Sequence, residues 1–472
     1  MKSATRIIIL VACLIVLASA QQKWERIFGG SGRDQAFSVS LTPDGGYVVA
    51  GLSASYPQKC YEMYVVKTDM YGDTVWINNY GSQYNDYCWS IAQAHDNGYL
   101  LLGATDSTLQ TGPHDVYLIK INELGDSLWS RVYGDTNSTG YTNDVGHEVR
   151  STTDGGYILV GSTESYGAGL HDVYLIKIDS VGDTLWTKTY GTSYYETGES
   201  VYQTEDNGYI VGGTTYETGL GQQIYIIRTD DQGDTLWTKR YGGSSSEDVQ
   251  GILQTQDKGY IFVGSTTSYG AGSGDLYIVR TDSLGNVVWT KTYGGSYPDW
   301  GRAIRHTSDG GYIIIGGTRT DPDPEYCFAW LLKTDSLGDT LWTRTKASIY
   351  GAANGTDVQQ ANDEGYIIAG ITWQYGGSDD FLLIKTDPQG ISSIRERRMH
   401  EVSIKPSVYP NPFSHYTTIS GCEQEIYFVY DIAGVYVGSY SGKEVGTYLP
   451  AGVYFIVPKS GDYTPLRVVK VR

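Results

Sequence analysis

Six carboxylates recur at one register of a repeating pattern, and they are the first residues that could do chemistry. Asp34, Asp86, Asp144, Glu196, Glu247 and Asp299 each stand thirteen residues before a tyrosine that opens an apolar run; at the seventh such position the residue is Ala353. A ring of hard oxygen ligands would suit a cation such as calcium, the one cofactor the sequence suggests. The same acids could instead cap turns by accepting backbone N–H groups, and their presence in nearly every repeat favours that structural use. His114-Asp115 and His171-Asp172 occupy equivalent places in neighbouring repeats. They could share a metal, although a chance pair on polar loops is the simpler reading. The chain has no nucleophile elbow, no phosphate-binding glycine loop and no His-Glu-x-x-His, so no catalytic motif can be named.

The elements that carry these residues are repeats. Tryptophans fall at Trp24, Trp76, Trp129, Trp186, Trp237, Trp289 and Trp342, spaced 51 to 57 residues apart, most within the phrase Gly-Asp-Thr-Leu-Trp or a close relative. A second anchor, Gly-Tyr before apolar residues and Gly, places tyrosines at Tyr47, Tyr99, Tyr157, Tyr209, Tyr260, Tyr312 and Tyr366. A unit of this size buries its apolar face only against its neighbours, so the array must stack or close. Each unit reads as four short strands, a to d, joined by hairpins with Asp-Gly-Gly and Asp-x-x-Gly-Asp turns. The seventh unit lacks its tryptophan strand after Asp387-Pro388-Gln389-Gly390, while Trp24-Glu25-Arg26-Ile27-Phe28 at the other end matches it. The pattern predicts an all-β, seven-bladed β-propeller over residues 21–391, closed by its N-terminal strand, which leaves no open sheet edge. Closed propellers of the WD-repeat and kelch kinds are similar in this respect, but their motifs are not matched.

Spacing separates two faces. The aromatic residue of strand c precedes the tryptophan of strand d by twelve residues in all six repeats that hold both, so the c–d turn is uniform, as is the a–b turn. The b–c and d–a loops vary and should carry any binding. They are rich in aromatic rings, which suit sugar stacking and protein contacts. Trp300, Trp373, Tyr375 and Tyr326 are the candidate ligand-binding residues, and the two tryptophans stand out because they fall outside the repeated tryptophan positions. Packing between blades is the competing use of these rings. Cys60 and Cys88 fall on variable loops of adjacent repeats, and a disulfide between them is expected.

Composition bounds partners and address. The chain has 472 residues and a formal charge of −19; nucleic-acid binding, which needs a basic stripe, is excluded. Residues 1–20 read as an export signal: Lys2 and Arg6, an apolar run from Ile7 to Leu17, and Ala18-Ser19-Ala20 for cleavage before Gln21. Leu10-Val11-Ala12-Cys13 offers a lipoprotein signal as the alternative, but the apolar run continues past the cysteine. A polar linker follows the repeats at 392–404, and the last domain spans 405–472.

That tail resembles the C-terminal sorting domain of the type 9 secretion system of Gram-negative bacteria. The resemblance rests on Val408-Tyr409-Pro410-Asn411-Pro412-Phe413, Tyr430-Asp431-Ile432-Ala433-Gly434, Leu449-Pro450-Ala451-Gly452-Val453-Tyr454, and the terminal Val468-Val469-Lys470-Val471. It implies a small Ig-like β-sandwich, recognition by the secretion machinery, and release or attachment at the cell surface. An Ig-like spacer is the alternative. Together these features predict a secreted or surface-bound, monomeric propeller presenting loops to a glycan or protein ligand. A secreted hydrolase or lyase acting on polysaccharide is the alternative, since fold alone does not choose between them.

Overall fold

The structure is a computed structural model. It describes residues 23–55, 61–106, 114–135, 142–217, 219, 221–320, 327–346, 348, 352–373 and 378–392, and in the tail 407–409, 414, 417–420, 426–432, 435–441, 444–445, 447–458 and 466–471. The export signal, Cys60, Tyr326, Tyr375, Pro410, Asn411 and Pro412 lie outside the described residues. Two compact units divide the chain at Glu396 and Arg397.

Among the described residues the first unit is all strand, with no helix. Seven four-stranded antiparallel sheets follow in chain order, each running a, b, c, d. The third shows the pattern: Asp144–Ser151, Tyr157–Thr163, Asp172–Ile178 and Thr184–Tyr190. Strands b and c are buried throughout (Tyr-Ile-Leu-Val-Gly-Ser-Thr and Asp-Val-Tyr-Leu-Ile-Lys-Ile), because both faces of the sheet are covered. Strand d alternates and is largely exposed. The seventh sheet takes Ala352–Gln360, Tyr366–Trp373 and Asp379–Lys385 and is completed by Trp24–Phe28, which pairs antiparallel with the last of these from Trp24↔Lys385 to Phe28↔Phe381.

The apolar core lies between sheets. One cluster joins Trp24, Phe381 and Leu383 of the seventh sheet to Val39, Tyr47 and Tyr64 of the first, and the other six junctions each have a cluster of the same kind. The repeated tryptophan has a specific seat. Each indole covers the c–d turn glycine of the next sheet: Trp24 on Gly72, Trp129 on Gly182, Trp186 on Gly233, Trp342 on Gly390. A Cβ at Gly182 would come within 2.8 Å of the Trp129 ring, and the residue holds φ +87°, so the position requires glycine twice over. At the end of strand d a tyrosine donates to the same glycine's carbonyl, as Tyr190 does to Gly233 at 2.6 Å and Tyr241 to Gly285 at 2.7 Å. The strand-c cation clamps the a–b turn of its own sheet: Lys67 to Asp44 at 2.8 Å, Lys177 to Asp154 at 2.9 Å, Lys385 to Asp363 at 2.7 Å.

The second unit contains a three-stranded sheet (Ser407–Tyr409, Thr417–Ser420, Glu444–Val445) and a four-stranded one ordered Tyr436–Ser441, Ile426–Asp431, Gly452–Pro458, Leu466–Lys470. Tyr427, Val429, Tyr454 and Ile456 of the larger sheet pack with Val445 of the smaller. Tyr409 pairs with Thr418, and Gly452, at the start of an interior strand of the larger sheet, pairs with Lys470 at the end of its edge strand.

Closure makes Trp24 a residue of the whole ring. Its ring is 6 % exposed, sits edge-on to Tyr47 at 5.7 Å and donates to the Met70 carbonyl at 3.1 Å. Trp24→Ala should cost about 3–5 kcal/mol and lower one cooperative unfolding transition of the first unit, followed by near-ultraviolet circular dichroism. An unchanged midpoint, or a separate early transition confined to the terminus, would refute the closure.

Candidate functional site

The six recurring acids open strand a or directly precede it. Asp34, Glu196 and Glu247 accept hydrogen bonds both from the loop before them and from strand b of their own sheet; Asp86 and Asp299 accept from the loop before them, and Asp144 from strand b and the residue two beyond it. Glu196 takes the Thr192 N–H at 2.9 Å and the Thr215 hydroxyl at 2.7 Å; Glu247 takes the Gly243 N–H at 2.9 Å and the Thr266 hydroxyl at 2.8 Å. Asp34 takes Gly30 N–H at 2.8 Å and the Ser53 hydroxyl, Asp144 takes the hydroxyls of Thr163 and Ser165, Asp86 takes Ser82 N–H, and Asp299 takes Gly295 N–H at 2.7 Å. In the seventh sheet, where Ala353 replaces the acid, Thr372 donates to the Ala352 carbonyl instead. Five of these acids latch the d–a loop before them to their sheet, and Asp144 latches the start of its b–c loop. Among the described residues no three His, Cys, Asp or Glu side chains form a metal-binding group. His114 and His171 do not meet either: His114 Nδ1 lies 2.6 Å from Asp106 and His171 Nε2 lies 2.8 Å from Glu164.

Three residues beyond the acid, strand a does something different. In six sheets its ladder skips one residue: Phe37, Trp89, His147, Glu199, Arg302 and Thr356 are each left without a partner on strand b. Such a bulge kinks the strand and re-aims the extra side chain. These six, with Gln250 at the same place in the fifth sheet, line one cavity of about 370 Å³. Strand a of every sheet thus meets around a single axis. The fold is a β-propeller.

The cavity's composition is individual. Seven equivalent positions hold Phe, Trp, His, Glu, Gln, Arg and Thr, whereas two residues further on the chain holds only Val or Ile: Val39, Ile91, Val149, Val201, Ile252, Ile304 and Val358. Trp89 stacks on Tyr87 at 5.5 Å with 9° between the planes, and the His147 ring stands edge-on to it at 6.1 Å. His147 Nδ1 is 2.8 Å from the Gly198 carbonyl and 3.3 Å from Glu199. Arg302, exposed, donates to Gln250 Oε1 at 3.0 Å.

Below this mouth a charged waist is built from Glu148, Arg150, Arg305 and Asp357. Asp357 accepts from Arg305 at 2.6 Å and, across the junction with the first sheet, from Ser38 and the Val39 N–H at 3.1 Å each. Glu148 accepts from Arg150 at 2.7 Å and, on the fourth sheet, from Ser200 at 2.7 Å and the Val201 N–H at 2.8 Å. Burial raises the Glu148 pKa, but the charges of Arg150 and Arg305 outweigh it and leave the carboxyl below its ordinary value. For Asp357 burial wins over Arg305, and its pKa lies above the ordinary value.

No protein-family profile matches the sequence, and no curated protein matches it. Solved structures similar in shape include a protein of unknown function from Bacteroides caccae (11% identity, 67% of this chain, 94% of that one, TM-score 0.40). PorZ, a surface component of the type IX secretion system of Porphyromonas gingivalis, is 12% identical, with 94% of this chain and 60% of that chain covered at a TM-score of 0.46. YCF48 bound to D1 peptide is 10% identical over 79% and 100%, at 0.44.

Of the expected binding residues, Trp300 and Trp373 are described. Trp300 is half-buried: a Cβ at Gly317 would meet its ring at 2.3 Å, and Arg319 lies 5.8 Å from it. Trp373 ends strand b, paired with Ala352 and Asp379. Neither lines the axial cavity. The disulfide expectation is corrected: Cys88 is a free thiol, fully buried on the face of strand a that packs with Val48, Met63 and Val65 of the first sheet. The bulged position carries a sequence signal after all. Aligning the repeats on the acid shows seven residue types at one register, beside a neighbour that never departs from Val or Ile.

Outside the cavity, carboxylates face each other across the blade junctions. Burial first, then the charges of Asp144 and Asp135, push Asp115 from 3.8 to about 6; burial and Glu196 raise Asp172, and burial and Asp34 raise Asp380. In the fourth sheet the same place holds Gln223, which donates to Glu247 at 3.2 Å. The folded protein keeps the Asp115 proton to a higher pH than the unfolded chain, so this contribution to stability is complete below the ordinary pKa and is lost as the pH rises through about 6. Asp115→Asn, which copies Gln223, should therefore raise the melting temperature at about pH 7.5 and leave it unchanged at about pH 4; an equal shift at both would show that the charge is not the cause.

Proposed function

We propose that this chain is an exported seven-bladed propeller that binds an extracellular ligand in its axial cavity, with an Ig-like C-terminal sandwich directing type 9 secretion to the surface or exterior of a Gram-negative bacterium. The observation that carries the binding reading is the set of bulged residues. A scaffold position repeats, as the Val/Ile position does; a position that differs in every blade of one chain is under seven separate demands. Bulges next to a concave site re-aim side chains for a ligand. The waist carboxylates favour binding over hydrolysis, since Glu148 and Asp357 are committed to arginines and to backbone N–H groups of the next sheet.

Two experiments test this reading. The secreted protein should capture a ligand from a glycan array or a surface-protein extract, and Trp89→Ala should reduce that capture about tenfold or more while leaving the melting temperature near wild type, because Trp89 is only partly buried. Capture indifferent to Trp89 would refute the cavity as the site. Intact mass of the extracellular protein should begin at Gln21 and end near Ser392; full-length mass in the medium would refute the sorting role of the tail.

A further inference from the structure

We infer that the axial cavity takes the terminal residue of an acidic saccharide, a hexuronate; the inference rests on the cavity being the binding site. The mouth is split by chemistry. On one arc Phe37 and Trp89 are aromatic, and Trp89 is braced by the Tyr87 stack. Most of the remaining wall is polar, with His147, Glu199, Gln250, Arg302 and Thr356 among its groups, and Ala303 and Ile371 are its apolar members. A pyranose ring has the matching division, an apolar C–H face that lies on an aromatic ring and an edge of hydroxyls.

Each polar group has capacity left for that edge. His147 Nδ1 is engaged with the Gly198 carbonyl at 2.8 Å, which leaves Nε2 to meet a ligand hydroxyl. Arg302 spends one donor on Gln250 at 3.0 Å and keeps the others of a guanidinium that has five N–H groups. A planar fork on the cavity wall matches a carboxylate bidentately, which a neutral sugar cannot use. The other arginine lining the mouth, Arg305, is already bound to Asp357, so Arg302 is the cation that reads the acid.

Two features narrow the ligand further. A peptide would add to an exposed strand edge, but the inner edge of strand a is interrupted by the bulge in six sheets, and such interruption blocks strand addition. The chain's charge of −19 opposes a long polyanion lying across the face. A chain end that enters the mouth meets Arg302 directly, and the waist of Glu148, Arg150, Arg305 and Asp357 stops it.

Calorimetry on the mature full chain tests this with a panel of α- and β-linked hexuronate trisaccharides and their carboxyl-reduced neutral counterparts. At least one hexuronate should bind about tenfold or more tightly than its reduced form. Arg302→Gln should abolish that preference, and Trp89→Ala should weaken both forms alike, each variant melting as wild type does. Equal affinity for acid and reduced forms, lost in Trp89→Ala, overturns the acidic class and keeps the cavity as a saccharide site. No saccharide binding, with a surface protein captured in a Trp89-dependent way, overturns the saccharide and keeps the cavity. Ligand binding untouched by both substitutions overturns the cavity reading itself.

Discussion

The indole of each strand d rests on the turn glycine of the sheet that follows, and in five of the seven junctions a tyrosine at the end of the strand also holds that glycine's carbonyl. Everything else in the first unit depends on this contact between neighbours. A sheet whose strands b and c are apolar on both faces cannot stand alone, so each needs a neighbour on both sides, and the chain of contacts can end only by returning to its start. Trp342 on Gly390 and Trp24 on Gly72 are the last two links. The second of them requires a strand from one end of the repeat region to finish the sheet built at the other, and that strand pairs along its whole length.

Electrostatics divides the two ends of the strands. On the uniform face, buried cations of strand c neutralise the a–b turn acids, and hydrogen bonds and Lys177 outweigh burial to hold Asp154 at about 2. Stability from that clamp is present above the ordinary carboxyl pKa and is lost only as the pH falls through about 2. On the variable face, acids of one sheet oppose acids of the next, and burial there raises their pKa values. The two faces therefore answer to pH in opposite directions. The second arrangement persists because the same carboxylates also accept hydrogen bonds that tie down loops.

Strand a joins the two themes. At its acid it is fixed by the loop latch, and at its Val/Ile position by the core between sheets. Between these lies one residue released from the ladder by the bulge, and that residue alone has no structural duty to repeat. The cavity exists because six such residues and Gln250 meet on the axis, and its chemistry is individual because the backbone there does not dictate side-chain type. The charged waist beneath it serves the ring as well, since Asp357 reaches the Val39 N–H across the junction of the seventh and first sheets.

The repeats, the four-strand unit and the terminal strand that completes the last sheet were all legible in the sequence, because each follows from local turn chemistry and from a period that a reader can count. So was the structural use of the recurring acids, since a feature present in nearly every repeat answers to the scaffold. Trp300 breaks the tryptophan pattern, and the structure sets its ring beside Gly317 and Asn354, outside the lining of the axial cavity. Cys88 misled because a bulge and a register, which no spacing reveals, turn its thiol into the core beside Met63. The sequence by itself determined which residues pair along the chain. The tertiary structure decided which residues meet across it, because a side chain's neighbours on the axis come from seven separate repeats and are set by the bulge that aims them, a backbone event with no residue type of its own.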